Sequence, residues 1–484
     1  MKPHYTRVRR VKTKSGSTAI QVGHYQGKRF ILSKHIGSAK EAEKMNELEK
    51  LAQEYIQAHS PQLRFTFNPN SDEVLYKRGI RSERSRLTTA YDYLSRVYHQ
   101  VGFDGLSSDV MKHFVMMRVL EPASKLQTLY LLQKYFGIAY KKTTVFRQFD
   151  QAADLKDQAV QAAISYAQTH LGFDFSLVFY DVTTLYFETH QSDEFRLNGF
   201  SKDNKINQPQ ILVGLMVNHT GFPVYYELFP GNTFEGHTMI PLILKLKEHY
   251  HIVQLTVVAD AGMLSEDNIS ALETNHIDYI VGARIKKLKM EQIRSVVELL
   301  HQQNGKLVRQ ENLIWEYSVK RAKKDKSDND RQIRKAEYIR SHPAQLLRRS
   351  SFISPVRNKP LTLNTETIEK HRLLEGVKGY RTNIQNIPDQ LLVNRYKDLW
   401  HVEQSFRIAK SDLQARPIFH RKEIAIRGHL LIVFMALCLT KVIEREKHRS
   451  IQKVVEELKD LWTVTLTDEI SGNTKDLIIN MKPH

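Results

Sequence analysis

Apolar residues recur along this chain at two periods, and the change from one to the other divides it. Residues 5–36 alternate in short β-prone pieces around Gly16, Gly23 and Gly27, which predicts a hairpin or a three-stranded sheet. Ala42, Met45, Leu48, Leu51 and Ile56 then fall near helical spacing, so residues 39–58 read as an amphipathic helix. A polar stretch with Pro61, Asn68, Pro69 and Asn70 reads as a linker. From about 86 to 170 the period is helical throughout. Ser108 and Asp109 cap one helix, Pro122 opens another that stops at Gly137, and a third runs from Leu155 to His170. These helices fit a helix-turn-helix DNA reader or a plain helical connector equally well.

At residue 175 the texture changes. Phe175 to Phe187 is β-branched and aromatic with both faces apolar, which predicts a buried central strand. Strands Ile211–Asn218 and Val224–Phe229 follow across the Thr220–Pro223 turn. Helix Thr238–Tyr250, strand Leu255–Ala259, helix Ser265–Asn275 and strand Tyr279–Ala283 come next. A meander followed by alternating helix and strand predicts an α/β fold, a mixed sheet with helices on its faces. Residues 284–375 break that rhythm. Order returns at Gly379–Asn383, followed by one long helix from Pro388 through Tyr396, Glu403 and Lys410. A second apolar helix spans Glu423–Arg445, and the charged tail from 446 reads as helical.

Charge adds a partner to this outline. The formal net charge is +19 over 484 residues, an excess that repels itself when folded and suits a polyanion, nucleic acid before an anionic membrane surface. Residues 1–40 hold ten Lys or Arg and no acid, and residues 284–349 hold 18 basic against 8 acidic residues. Both blocks carry aromatic residues (Tyr5, Tyr25 and Phe30; Trp315, Tyr317 and Tyr338), although a basic run by itself is usually a solvated face. The single cysteine, Cys438, excludes an intrachain disulfide and a cysteine zinc cluster. The apolar run Leu430–Leu439 is short of the ~20 residues that span a bilayer, and no signal-peptide pattern opens the chain. A cytoplasmic protein without a membrane partner is expected.

Three carboxylates stand out. Asp181 lies mid-strand in an apolar run, where a charge is costly unless paired or bound to a cation. Asp260 ends a second strand, just before Ala261-Gly262, so both aspartates are expected at one edge of a single sheet. Glu403 lies on a helix. Three carboxylates from two strands and a helix suit two hard divalent cations, a pair that activates an attacking oxygen and stabilises a leaving one in phosphodiester displacement. Any one of them alone reads as a surface ion pair or a helix cap. Tyr396, Glu403 and Lys410 are spaced by seven, which places them on one helix face, with Trp400, Phe406 and Leu413 as the core stripe opposite. The plainer reading of the first stripe is a solvent face.

The block Tyr180-Asp181 to Glu188, then Val258-Ala-Asp260-Ala-Gly262, then Tyr396-x2-Leu-Trp-x-Val-Glu403-x2-Phe-Arg407-x2-Lys410 resembles the DDE transposases of bacterial insertion sequences. It is similar to the branch whose signature is Tyr, two residues, Arg, three residues, Glu, six residues, Lys. The signature Arg position holds Leu399, with Arg395 and Arg407 as substitutes. The segment Asp412-Leu-x2-Arg416-Pro-Ile-x-His420-Arg421 is similar to that group too. The resemblance covers roughly 176–445. It implies an RNase H-like catalytic core in which Asp181, Asp260 and Glu403 bind two Mg²⁺ ions, with Mn²⁺ as a substitute. Because Asp260 and Glu403 are 143 residues apart, it further implies an insertion domain over 284–375. Tyr396, Arg407, Lys410, Arg416, His420 and Arg421 become DNA contacts. The implied partner is double-stranded DNA, both the inverted-repeat ends and the target, held by a homodimer in the synaptic complex. The implied activity is cut-and-paste transposition. A nuclease or resolvase that cuts without joining, and a DNA-binding descendant without activity, are the alternatives.

Weaker candidates complete the reading. Gly231 to Thr238 reads first as a turn plus a helix cap, and otherwise places Asn232 and His237 at the active-site rim. Glu188 points away from Asp181 on a regular strand. Trp315 stacks on an unpaired base or packs in a core. The expected domain order is a basic N-terminal region (1–85), a helical DNA-binding or connector region (86–174), core (175–283), basic insertion (284–375), core (376–445) and helical tail (446–484).

Overall fold

The computed structural model describes residues 6–13, 16–27, 29–59, 80–189, 191–199, 208–263, 265–342, 351–354, 361–468 and 473–481. Tyr5 and the expected linker at Pro61–Asn70 lie outside them. The chain forms two compact units, one of residues 1–82 with 466–475 and one of residues 83–465 with 476–484.

In the smaller unit, antiparallel strands Arg7–Lys12, Thr18–Gln26 and Arg29–Ala39 pair in chain order. Ile20 and Val22 alternate onto the face that helix Ala42–His59 covers, packing with Ala52, Met45 and Leu48. The register slips after Val22, where a Cβ on Gly23 would come within 2.2 Å of the Ile31 carbonyl.

The larger unit begins with helices Thr88–Gln100, Asp109–Leu120, Lys125–Phe136, Lys142–Gln151 and Lys156–Leu171. Ser108 Oγ accepts from Met111 N at 3.3 Å, the cap expected there. The next helix starts at Lys125 rather than Pro122, because Ser124 Oγ caps Gln127 N. It ends at Gly137, with φ 70°. Helices Thr88–Gln100, Asp109–Leu120, Lys142–Gln151 and Lys156–Leu171 pack around helix Glu423–Lys447, whose Gly428 to Ile443 stretch is buried throughout. Burying each large apolar side chain there stabilises by about 1.5–3 kcal/mol. The helix outruns the ten-residue apolar run and is long and apolar enough to cross a membrane, with mean hydropathy 1.9, yet 94% of its most apolar window is buried inside the protein.

The sheet is built from β1 (Leu177–Tyr186), β2 (Gln210–Val217), β3 (Pro223–Pro230), β4 (Thr256–Ala259), β5 (Asp278–Gly282), β6 (Leu307–Gln310), β7 (Leu313–Tyr317) and β8 (Val377–Thr382). Its order is β6-β7-β8-β5-β4-β1-β2-β3. Strands β1, β4 and β5 are parallel, while β2 runs antiparallel to both β1 and β3. The run β3-β2-β1-β4-β5 with β2 reversed is the RNase H-like arrangement, so the expected mixed α/β sheet is present. Residues 284–375 contribute helices Met290–Leu300, Val319–Ser341 and Thr365–Leu373. Their hairpin β6–β7 also extends the sheet itself, through β8.

Two further expectations fail here. The single helix through Tyr396, Glu403 and Lys410 is two, Asp389–Lys397 and Trp400–Ser411. A tight turn joins them, in which Leu399 N bonds Tyr396 O and Val402 N bonds Leu399 O. The tail is not helical throughout. Helix Ile451–Asp460 gives way to strands Leu461–Asp468 and Thr474–Asn480, where Thr463, Thr465 and Thr467 favour extended chain.

Candidate active site

Parallel pairing sets the centre of the site. Tyr180 is opposite Ala259, so the next residue on each strand, Asp181 and Asp260, emerges side by side where neighbouring strands lie ~4.8 Å apart. Asp181 is half-buried within β1, and Asp260 is exposed just past β4. Tyr180 faces the other side of the sheet, where its hydroxyl donates to Thr238 Oγ at 2.8 Å. A Cβ on Gly214 would come within 2.5 Å of that hydroxyl.

Helix Trp400–Ser411 covers the Asp181 face. Phe406, Ala409 and Lys410 line a small apolar cavity with Thr183, Leu185, Val213 and Leu215, and Thr183 shares a face with Asp181. Ser405 Oγ anchors the helix by donating to the Gly221 carbonyl at 2.9 Å. Glu403 is exposed on this helix, and its charge reaches the Tyr396 hydroxyl.

Tyr396 is the tie between the halves. Its hydroxyl donates to Asp260 Oδ1 at 3.2 Å. Burial raises its pKa first, and the Asp260 and Glu403 charges raise it further, so the phenol stays protonated. It is buried and turned toward Asp260, not aligned with Glu403 along a groove, because the tight turn at Asp398–Leu399 rotates the two helices apart. Leu399, at the signature arginine position, is buried, while Arg407 is exposed. Trp400 leaves the expected core stripe: it is 50% exposed and lies against the His401 ring at 3.9 Å, whereas Phe406 and Leu413 are buried.

Several participants carry no sequence signal. Lys378 Nζ lies over the Tyr396 ring at 4.4 Å. Burial lowers its pKa, with Arg321 repelling it and Glu316 and Asp260 opposing the shift. Arg284 braces the turn after Asp260, donating to Ala261 O at 3.0 Å and Gly262 O at 3.1 Å. Together with Asp260, Arg321 and Tyr396 they line an open cleft of roughly 680 Å³. Only the pairing of β5 with β8 brings Lys378 here.

The loop 231–238 also reaches this region. Asn268 Nδ2 donates both to Gly236 O at 2.6 Å and to Met263 O at 2.7 Å, joining the loop to the turn after Asp260. Asn232 and His237 are exposed on it. Glu188 is exposed beyond the end of β1. Arg416 lies over the Tyr186 ring at 5.5 Å, and Arg421 is exposed. His420 is half-buried, its pKa pushed down to about 4 by burial and then by Lys125 and Arg118. Trp315 cannot stack on a base: it is fully buried, opposite Gly379 and in one cluster with Ile293, Val296, Leu300 and Val377.

Among the described residues no three His, Cys, Asp or Glu side chains form a ready metal cluster. The fit with a hard divalent cation rests on donor chemistry, since all three carboxylates offer oxygen. It rests also on the adjacent aspartates, with Glu403 on the helix over their face.

The transposase DDE domain family matches residues 172–439. A sequence search of curated proteins finds no match. A piggyBac transposase synaptic complex with hairpin DNA is similar at 11% identity over 72% of this chain and 68% of that one, with a TM-score of 0.37. The Mos1 transposase catalytic domain with raltegravir and Mg is similar at 14% identity over 29% and 63%, with a TM-score of 0.15.

Proposed function

The chain belongs to the transposase DDE domain family, and from that premise we propose that it moves a bacterial insertion sequence by cut-and-paste transposition. The observation that carries the reading is the side-by-side emergence of Asp181 and Asp260 from parallel strands, under the helix that bears Glu403. In the first step water attacks the phosphorus at the element's end, the P–O3′ bond breaks, and the 3′-oxygen leaves with a proton. In the second, that 3′-hydroxyl attacks a target phosphodiester, forms a new P–O bond and releases a target 3′-hydroxyl.

Asp181, Asp260 and Glu403 would hold two Mg²⁺ ions, which supply activation of the attacking oxygen and charge stabilisation at the leaving one. Tyr396 orients Asp260, and Arg284 holds the turn beneath it. Lys378, Lys410 and Arg407 offer cations to the DNA backbone, and Asn232 and His237 form the rim. Residues 1–85 and the helices to 174 would grip the inverted-repeat ends, with two copies of the chain pairing two ends. The acid-free first forty residues support that assignment.

The test is a strand-transfer assay on a duplex ending in the DNA that flanks the gene. Asp181→Ala, Asp260→Ala and Glu403→Ala should each abolish cleavage and joining while end binding persists, and chelation should do the same. Wild-type cleavage without joining would favour a nuclease. Full cleavage by any single variant would remove that residue from the site.

A further inference from the structure

The loop Gly231–Thr238 exposes Asn232, Phe234 and His237, yet its backbone is pinned at the start, the middle and the end. Gly231 N donates to Phe195 O at 3.2 Å, and Gly231 O accepts from Gln210 Nε2 at 3.1 Å. No side chain fits there, because a Cβ would come within 2.0 Å of the Gln210 carbonyl. At the other end Thr238 Oγ donates to Glu235 O at 2.6 Å while it accepts from the Tyr180 hydroxyl at 2.8 Å. Between them the Gly236 carbonyl accepts from Asn268 Nδ2.

These bonds connect the two aspartates by a route that crosses the loop. Tyr180 precedes Asp181 on β1 and points to the opposite face of the sheet. Asn268, in helix Glu266–Thr274, donates its second amide hydrogen to Met263 O at 2.7 Å. Met263 N in turn bonds Asp260 O at 3.0 Å. The route from Asp181 to Asp260 thus runs through Tyr180, the loop, Asn268 and Met263. It matters because the ladder between β1 and β4 ends at the pair Tyr180 and Ala259. Beyond that pair no backbone ladder sets the second carboxylate against the first. Arg284 and Tyr396 also hold Asp260 and its turn, from elements that follow β5 in the chain; the loop supplies the tie to β1.

Carboxylates that share two divalent cations ~3.5–4 Å apart must be held to within about 0.5 Å of the productive geometry. We propose that Tyr180 and Asn268 are positioning residues: through the loop they fix the separation of Asp181 and Asp260, and so set how tightly that pair holds a divalent cation. Both side chains are buried, which removes them from direct contact with DNA. The cation rests on the transposase reading; the brace stands on the hydrogen bonds alone.

The full chain is compared with Tyr180→Phe, Asn268→Ala, the double variant and Tyr279→Phe. The last is a control: it removes a similar hydroxyl bond, Tyr279 to Glu273 Oε1 at 2.8 Å, from β5 beside β4. The readouts are amide hydrogen exchange without metal and calorimetric titration with Mn²⁺, and neither needs DNA or turnover. Tyr180→Phe should speed exchange at Met263 by about fivefold, the effect of one net hydrogen bond, while Tyr279→Phe should leave it unchanged. Tyr180→Phe and Asn268→Ala should each weaken Mn²⁺ binding by about tenfold. The double variant should lose less than the product, since both substitutions cut one path. Unchanged exchange at Met263 in Tyr180→Phe overturns the brace, and unchanged Mn²⁺ affinity in that variant overturns its role in metal binding. An equal loss of Mn²⁺ affinity in Tyr279→Phe would mark general loosening and overturn it too. If Asn268→Ala fails to fold, Tyr180→Phe, which removes one hydroxyl, decides by itself. Faster exchange as expected in a chain that binds no Mn²⁺ would strike the proposed metal site and leave the brace standing.

Discussion

Tyr396 and Asp260, 136 residues apart in sequence, are joined by a hydrogen bond of 3.2 Å from the phenol to Oδ1. Gly282 makes the bond possible, since a Cβ there would lie 2.6 Å from the Tyr396 hydroxyl. The Tyr380 ring, 4.9 Å away and edge-on, fixes the phenol from the other side. The family-matched first and second parts of the core thus meet at one carboxylate.

Tyr396→Phe keeps the ring packing and removes only that bond. A hydrogen bond to a charged acceptor contributes about 1.5–3 kcal/mol, so cleavage should fall by about ten- to a hundredfold, most at limiting Mg²⁺, with duplex affinity unchanged. Wild-type cleavage rates across a Mg²⁺ titration would refute the positioning role.

Lys378→Met retains the aliphatic stem over Tyr396 and deletes the charge beside Asp260. Cleavage should drop by about tenfold or more, since small misplacement of a reacting phosphate is costly. Affinity for duplex should fall less, because one phosphate contact among many is lost. Single-turnover cleavage measured beside Lys422→Met, an exposed lysine outside the cleft, checks this. Equal behaviour of the two would remove Lys378 from the site.

Stability should depend on acid through His420. Its folded pKa is pushed down to about 4 from the ordinary imidazole value of 6.5, by burial and then by Lys125 and Arg118. Between those values the unfolded chain binds the extra proton, so stability rises with pH across the window. The contribution is complete above about 6.5 and is lost as pH falls toward 4. His420→Gln should flatten unfolding free energy against pH by up to one proton, about 1.4 kcal/mol per pH unit. Urea unfolding of both proteins at pH 5 and pH 7 measures the difference.

Trp315→Ala should destabilise the larger unit by about 3–5 kcal/mol, the cost of emptying a large buried site. The indole N–H has no hydrogen-bond partner among the described residues, so Trp315→Phe loses only packing and should cost less. A base-stacking residue would instead lose DNA affinity at unchanged stability, and paired thermal and binding measurements separate the two.

What the sequence by itself determined was local. The β-branched run around Asp181, the Asp260-Ala261-Gly262 turn and the apolar stretch feeding helix Glu423–Lys447 each carry their own periodicity or turn chemistry, and the elements formed where those signals lie. The chain-order motifs were legible for the same reason. What only the tertiary structure decided is set by pairing between distant segments. Strand β8 joins β5 across some hundred residues, and that register brings Lys378 and Tyr396 to Asp260. It also seats Trp315 in a core, one of the two roles that its sequence neighbourhood leaves open. The turn at Asp398–Leu399 broke a seven-residue spacing that looked continuous, because residue spacing records helical phase only while the helix persists.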